Sequence, residues 1–337
     1  MMKIVWHNIY SSAKELHRLA PWEWMFEDDI FGVKIPGTDR VYFISVMGAN
    51  GELSAVVAYR GSRALRQFWE LHLGYIYLRP ETILTIPHIM LSFHDRNFLS
   101  AEQLRQIKST GLTFRGSGTW PVLEEIIPGY VPSLPPDSTL PDAAVILEQT
   151  LDVVKRTSEE KYLLHHEDHD DEMYLIRETD TKSSGFTWQD RYRKINTKPF
   201  RFKVNCREDI LDSLTVLPAR SVILQLDLVL LPVPIKEEGS NGYFPFILLA
   251  TNKKTGIIEG MEMLTPRPDL DTMYESVPQK VLDMLLSLKY NPLRIEIQSH
   301  LLESLLHSIL KKAGFKMILV KELKSIEIAV EGHMSSL

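Results

Sequence analysis

Residues 165–172 read His-His-Glu-Asp-His-Asp-Asp-Glu, placing three imidazoles and five carboxylates in eight positions. His165 and His169 stand four apart, the spacing that puts two ligands on one face of a helix, so the pair is a candidate site for zinc, nickel or manganese. A contiguous acidic run has little apolar anchoring to hold ligands rigid, and a solvated loop is the plainer expectation. The stretch 191–207 has the opposite character: seven bases, among them Arg191, Arg193, Lys194, Arg201 and Lys203, and no acid. Tyr192, Phe200 and Phe202 interleave with them, which is the pattern of a surface pairing phosphate contacts with base stacking. Residues 158–180 carry nine acids against two bases. Internal neutralisation between these neighbouring runs is therefore preferred to nucleic-acid binding. Other chemistry is thinly represented. There is no Gly-x-Ser-x-Gly elbow, no phosphate loop and no dinucleotide fingerprint. Cys206 is the lone cysteine, which excludes an internal disulfide and fits a reducing, cytoplasmic setting. In the segment His94-Asp95-Arg96, taken with Arg115, an arginine is expected to lock the aspartate as a structural pair.

The elements that would position these groups can be read from periodicity and punctuation. The chain has 337 residues, 44% hydrophobic and 24% charged, enough for two domains with their own cores. No apolar run approaches the roughly 20 residues of a membrane-spanning helix, and the net charge of −6 offers no global attraction to polyanions. An opening helix over 11–19 precedes extended segments at 30–35, 41–47 and 53–59, the last two joined through Asn50-Gly51. Ser100 and Gln103 form a capping-box pattern for a helix that Gly111 stops. The Gly/Pro-dense stretch 115–141 is expected to be an ordered loop, followed by a long helix capped at Asp142 and ending near residue 164, where the domain boundary is placed. The second half, 165–337, offers a long strand at 222–233, a hairpin over 244–264 and a helix over 278–288. A strand, a helix, a strand and a terminal helix come after it. Hairpin glycines Gly51 and Gly256, and helix-stop glycines Gly111 and Gly314, recur at a nearly constant offset. This makes the second half a candidate repeat of the first, although α/β domains share this grammar without duplication, and that is the plainer expectation. The fold class is α/β with mixed sheets.

The order three strands, helix, strand, helix, strand over most of 222–337 resembles the ribonuclease H-like fold. That resemblance implies carboxylates on the first and fourth strands and one nearby, which hold Mg or Mn for phosphodiester hydrolysis. Asp227 takes the first-strand position, Glu296 lies on the fourth strand, and Glu331 on the last helix could supply the third ligand. Gln298 stands where the fourth-strand acid is expected, which implies a degenerate, non-catalytic member. Segments 29–36 and 42–61, with Phe114-Arg115-Gly116, Trp120-Pro121, Pro128-Gly129-Tyr130 and Pro132, resemble an uncharacterised bacterial family of two-domain cytosolic proteins. The expectation is a cytosolic interaction or accessory protein with a protein partner, no cofactor and no membrane association. The alternative is a metal-dependent nuclease using Asp227, Glu296 and Glu331.

Overall fold

The structure is a computed structural model that describes residues 2–51, 53–73, 80–160, 162–164, 173–180, 187–197, 201–204, 206–237 and 241–334. The chain divides into two compact units. The first holds residues 1–69, 86–127 and 132–199; the second holds 70–85, 128–131 and 200–337.

The first unit opens on helix α1 (Met2–Leu19), longer at its start than the sequence pattern implied. Its buried residues Trp6, Ile9, Tyr10, Ala13 and Leu16 recur at helical spacing and form one apolar stripe. Strands β1 (Phe31–Lys34), β2 (Val41–Met47) and β3 (Ala55–Arg60) then meander antiparallel. Helix α2 (Gly61–His72) leads away, and β4 (His88–His94) returns antiparallel beside β3, with Tyr59 opposite His88. Helix α3 (Ala101–Thr110) starts on the predicted capping box: Ser100 Oγ accepts from the Gln103 backbone N–H, and the Gln103 side chain accepts from that of Ser100. It stops at Gly111, whose φ of +78° is the left-handed cap that glycine tolerates best.

Strand β5 (Trp120–Ile126) comes next, paired antiparallel with β4 inside the stretch expected to be a loop. Pro121 hid it, yet a proline is tolerated in a strand at a sheet edge, which is where β5 lies. Helix α4 (Leu140–Thr157) packs on α1. Strands β6 (Met173–Asp180) and β7 (Thr187–Lys194) complete the sheet, β6 lying parallel to β1. The order is β5-β4-β3-β2-β1-β6-β7. The first sheet thus extends thirty residues past the boundary expected at 164, because β1 has an open side that β6 fills.

The second unit carries helix α5 (Glu208–Thr215) and strands β8 (Ala219–Leu230), β9 (Phe246–Asn252) and β10 (Ile258–Leu264), joined antiparallel. Helix α6 (Leu270–Ser287) leads to β11 (Asn291–Ile297), parallel to β8. Helix α7 (His300–Lys312) leads to β12 (Met317–Leu319), parallel to β11, and α8 (Lys324–Met334) ends the described chain. The order is β10-β9-β8-β11-β12. On one face, Leu224, Leu226, Leu248 and Ile295 pack against Val281, Leu285, Leu302 and Leu306 of α6 and α7. On the other, Val229, Leu231, Ile247 and Leu249 pack under Leu323 and Ile326 around α8. The candidate repeat fails at the fourth strand, which pairs with the third in one sheet and with the first in the other.

Candidate functional site

Side chains alternate across a strand, so Gln225 and Asp227 of β8 share the face beneath α8 with Val229. Glu296 lies beside Gln225 in the parallel β8–β11 register and so joins that face. Thr251 pairs with Gln225 from β9. Five polar residues, Gln225, Asp227, Thr251, Glu296 and Ser325, are thereby buried together with the start of α8. Burial without partners would cost each of them free energy, and the hydrogen bonds show how that cost is met.

The Glu296 carboxylate, 1% exposed, accepts from Lys253 Nζ at 3.0 and 2.9 Å and from Arg294 at 3.1 and 2.8 Å. Gln225 Nε2 donates to it at 3.1 Å. Burial alone would raise the Glu296 pKa, but these three donors hold it below the usual carboxylate range. Gln225 Oε1 in turn accepts from the Ser325 backbone N–H at 3.0 Å and hydroxyl at 2.6 Å; with that proton committed, Thr251 Oγ1 donates to Ser325 Oγ at 2.6 Å. The chain of contacts Lys253/Arg294–Glu296–Gln225–Ser325–Thr251 pins the first turn of α8 to the sheet. Sequence reading picked out Glu296 but missed Gln225, Thr251 and Ser325. Their only signal was three polar residues in otherwise apolar strand or helix patterns.

The carboxylates expected to bind metal do not converge. Asp227 is on the Glu296 face but two residues further along the neighbouring strand, an offset of about 7 Å. It accepts the Leu228 backbone N–H at 2.9 Å. Glu331 is exposed on α8. Gln298, level with Asp227, donates to the Lys321 carbonyl at 2.5 Å and so ties the end of β11 to the loop before α8. Among the described residues no three His, Cys, Asp or Glu side chains gather closely enough to hold a metal ion. His165 and His169 lie outside the described residues.

The basic stretch is divided between the units. Arg191 and Arg193 project from β7 onto one carboxylate, Glu178 of β6, at 3.2 and 2.8 Å. Lys194 ends that strand, exposed. Arg201 and Lys203 are exposed in the second unit, where the Lys203 backbone N–H donates to Glu275 at 3.0 Å. Of the interleaved aromatics, Tyr192 donates to the Leu163 carbonyl at 2.9 Å and Phe202 packs edge-on against Tyr274, while Phe200 lies outside the described residues.

Two aspartates of the first unit bear on the sequence expectations. Asp142 lies inside α4 rather than at its cap, and is buried where Tyr42 Oη donates at 3.0 Å and Arg40 at 2.9 Å. Burial, with the Asp142 charge nearby, raises the Tyr42 phenol to about 12. Asp95 is locked as expected, but not by arginine: Ser117 Oγ donates at 2.5 Å and the Gly118 N–H at 2.7 Å, while Arg96 lies over the Trp120 ring. Those donors hold its carboxyl below the usual range. In the second unit Cys206 shifts the other way, since burial and Asp283 raise its thiol pKa.

Fold and site together define a two-domain α/β protein with two mixed sheets of different topology, the second carrying a buried, ion-paired polar face. The chain belongs to the family of the domain of unknown function DUF7309, whose model matches residues 6–177, and a distinct domain of unknown function, DUF6930, matches 211–333. No curated protein and no solved structure matches the chain significantly.

Proposed function

We propose that this is a cytosolic interaction or accessory protein that performs no catalysis itself, needs no cofactor and works through a protein partner. Its second unit is, in this reading, a degenerate ribonuclease H-like domain. What supports that likeness is three antiparallel strands followed by two parallel ones, each reached through a helix. No described helix is long and apolar enough to cross a membrane.

The observation that carries the reading is the state of Glu296. A carboxylate has about four lone-pair sites, and Lys253, Arg294 and Gln225 already occupy them. Two fixed cations also repel a divalent ion where a nuclease would need to attract one. Glu296 therefore acts as a structural counter-ion, and removing its charge should weaken the fold. The test uses the full chain with Mg or Mn and labelled single- and double-stranded DNA and RNA. The expected result is no cleavage above that of Glu296→Gln, with a Tm several degrees lower for the variant. Cleavage by the wild type that disappears in Glu296→Gln or Asp227→Asn, at unchanged Tm, would sink the proposal in favour of the nuclease.

A further inference from the structure

Asparagine followed by glycine occurs twice in the chain, at Asn50-Gly51 and at Asn241-Gly242. The pair has a chemistry of its own. The backbone nitrogen of the second residue can attack the side-chain Cγ of the asparagine before it, and glycine, with no Cβ, hinders that approach least. Ring closure also needs the peptide between the two residues to rotate out of its folded setting. The surrounding backbone therefore decides whether the reaction proceeds. Both asparagines are exposed, and the difference between the two sites lies at their glycines.

Gly51 is exposed in the turn joining β2 to β3, and no atom beyond its chain neighbours comes within 4 Å of where a Cβ would stand. Its N–H donates to the Gly48 carbonyl at 2.9 Å, a single surface hydrogen bond that water replaces at little net cost. The β2–β3 ladder begins at Met47 and Ala55, so residues 50 and 51 can move without disturbing it. Gly242 is enclosed. It is buried, and its Cβ position lies 3.0 Å from Lys236 Cγ, 3.2 Å from Val131 Cγ2 and 3.3 Å from the Ile235 carbonyl oxygen. Its own carbonyl accepts the Val131 N–H at 3.3 Å. The next residue, Tyr243, exchanges two hydrogen bonds with Ile235, at 2.8 and 3.0 Å, and bridges to Tyr130 as well. Rotating the Asn241–Gly242 peptide means breaking several of these bonds together.

We infer that Asn50 is a site of spontaneous, backbone-assisted deamidation, and that the fold protects Asn241 although its dipeptide is the same. The Gly51 nitrogen bonds to Asn50 Cγ, the Cγ–Nδ2 bond breaks, and the side-chain nitrogen leaves as ammonia with the Gly51 amide proton. Water then opens the succinimide at either carbonyl, giving aspartate or isoaspartate. Water is the only co-reactant, and nothing is oxidised or reduced. Each event adds one negative charge to the turn, and the isoaspartate branch lengthens the backbone there by one carbon. This chemistry does not depend on what the protein binds, so it stands or falls apart from the nuclease assay.

The test is prolonged incubation of the full chain at neutral pH and physiological temperature, once folded and once in denaturing urea, followed by tryptic mapping with mass spectrometry. The two sites fall in separate tryptic peptides, 41–60 and 237–253. In the folded chain Asn50 should convert about tenfold faster than Asn241 or more, because Asn241 reacts only after its bridges open. In urea the two rates should be comparable, and position 50 should yield isoaspartate as well as aspartate. A smaller ratio in the folded chain, the same ratio persisting in urea, or aspartate without isoaspartate at position 50 overturns the inference.

Discussion

In the first sheet the chain leaves β3 through α2 and later lays β4 antiparallel beside β3. In the second it leaves β10 through α6 and lays β11 parallel beside β8. The opening grammar is the same, hairpin then helix, and the outcome differs because the connection after the helix differs. Beyond α6 three residues lead straight into β11, so the chain enters the sheet from the end that α6 reached. Beyond α2 some fifteen residues intervene, and β4 starts at the end where β3 finished. Helix length alone does not decide topology; the return path does. The edge strands differ accordingly: β5 and β7 in the first sheet, β10 and β12 in the second.

The largest effect expected from this contrast is that of cutting the chain at residue 164, which removes β6 and β7. Fragment 1–164 should show no cooperative unfolding transition by circular dichroism, because the parallel side of β1 loses its partner. A sharp two-state melt would mean that the first unit is complete without them.

Next comes acid sensitivity. His88, 3% exposed in β4, is held neutral by burial, its pKa lowered to about 4 despite its contact with the Ile86 carbonyl. The unfolded chain takes up a proton near pH 6.5 and the folded one does not. The native state is therefore favoured above 6.5 and loses about 3 kcal/mol as pH falls towards 4. In the second unit the buried group is Glu296, whose depressed pKa preserves its contribution until below the ordinary carboxylate range. On acidification the first unit should melt first. Tm measured from pH 7 to 4 should fall steeply for the wild type, and that slope should flatten in His88→Asn. An equal slope in both would assign the acid lability to other groups.

The smallest effect tests what the two halves do share. Gly111 and Gly314 have φ of +78° and +80°; the first directly follows α3, and the second follows α7 after one residue, Ala313. Alanine at either should cost about 1 kcal/mol, and nearly the same at both, since neither position crowds a Cβ. A denaturant midpoint moved by only one of them would show that the likeness stops at appearance.

These two glycines, the Ser100 capping box and both hairpins were legible from the sequence, because each is dictated by local backbone chemistry. The β5 strand was not: Pro121 and the surrounding glycines read locally as loop, while pairing with β4 decided otherwise. Strand β7 reads locally as a charged surface because Arg191, Arg193 and Lys194 are exposed, while its inward Trp188 and Tyr192 flank a charged residue, Asp190. Asp190 binds Arg156 at 2.5 Å and Arg177 at 2.9 Å, a network no periodicity scale registers. Glu296 could be suspected from a fold resemblance, but its neutralising partners, Lys253 on a turn and Arg294 two residues back on β11, meet it only in three dimensions.

The parallel pair β1–β6 also has a consequence in time. Strand β1 gains β2 almost as soon as it leaves the ribosome, but its other edge waits for β6, about 140 residues later, or roughly ten to thirty seconds at usual rates of synthesis. Throughout that interval the nascent chain shows an unpaired edge beside Phe31 and Val33, both fully buried once folding ends. Slow codons between β5 and β6 would lengthen the time for which that edge is exposed.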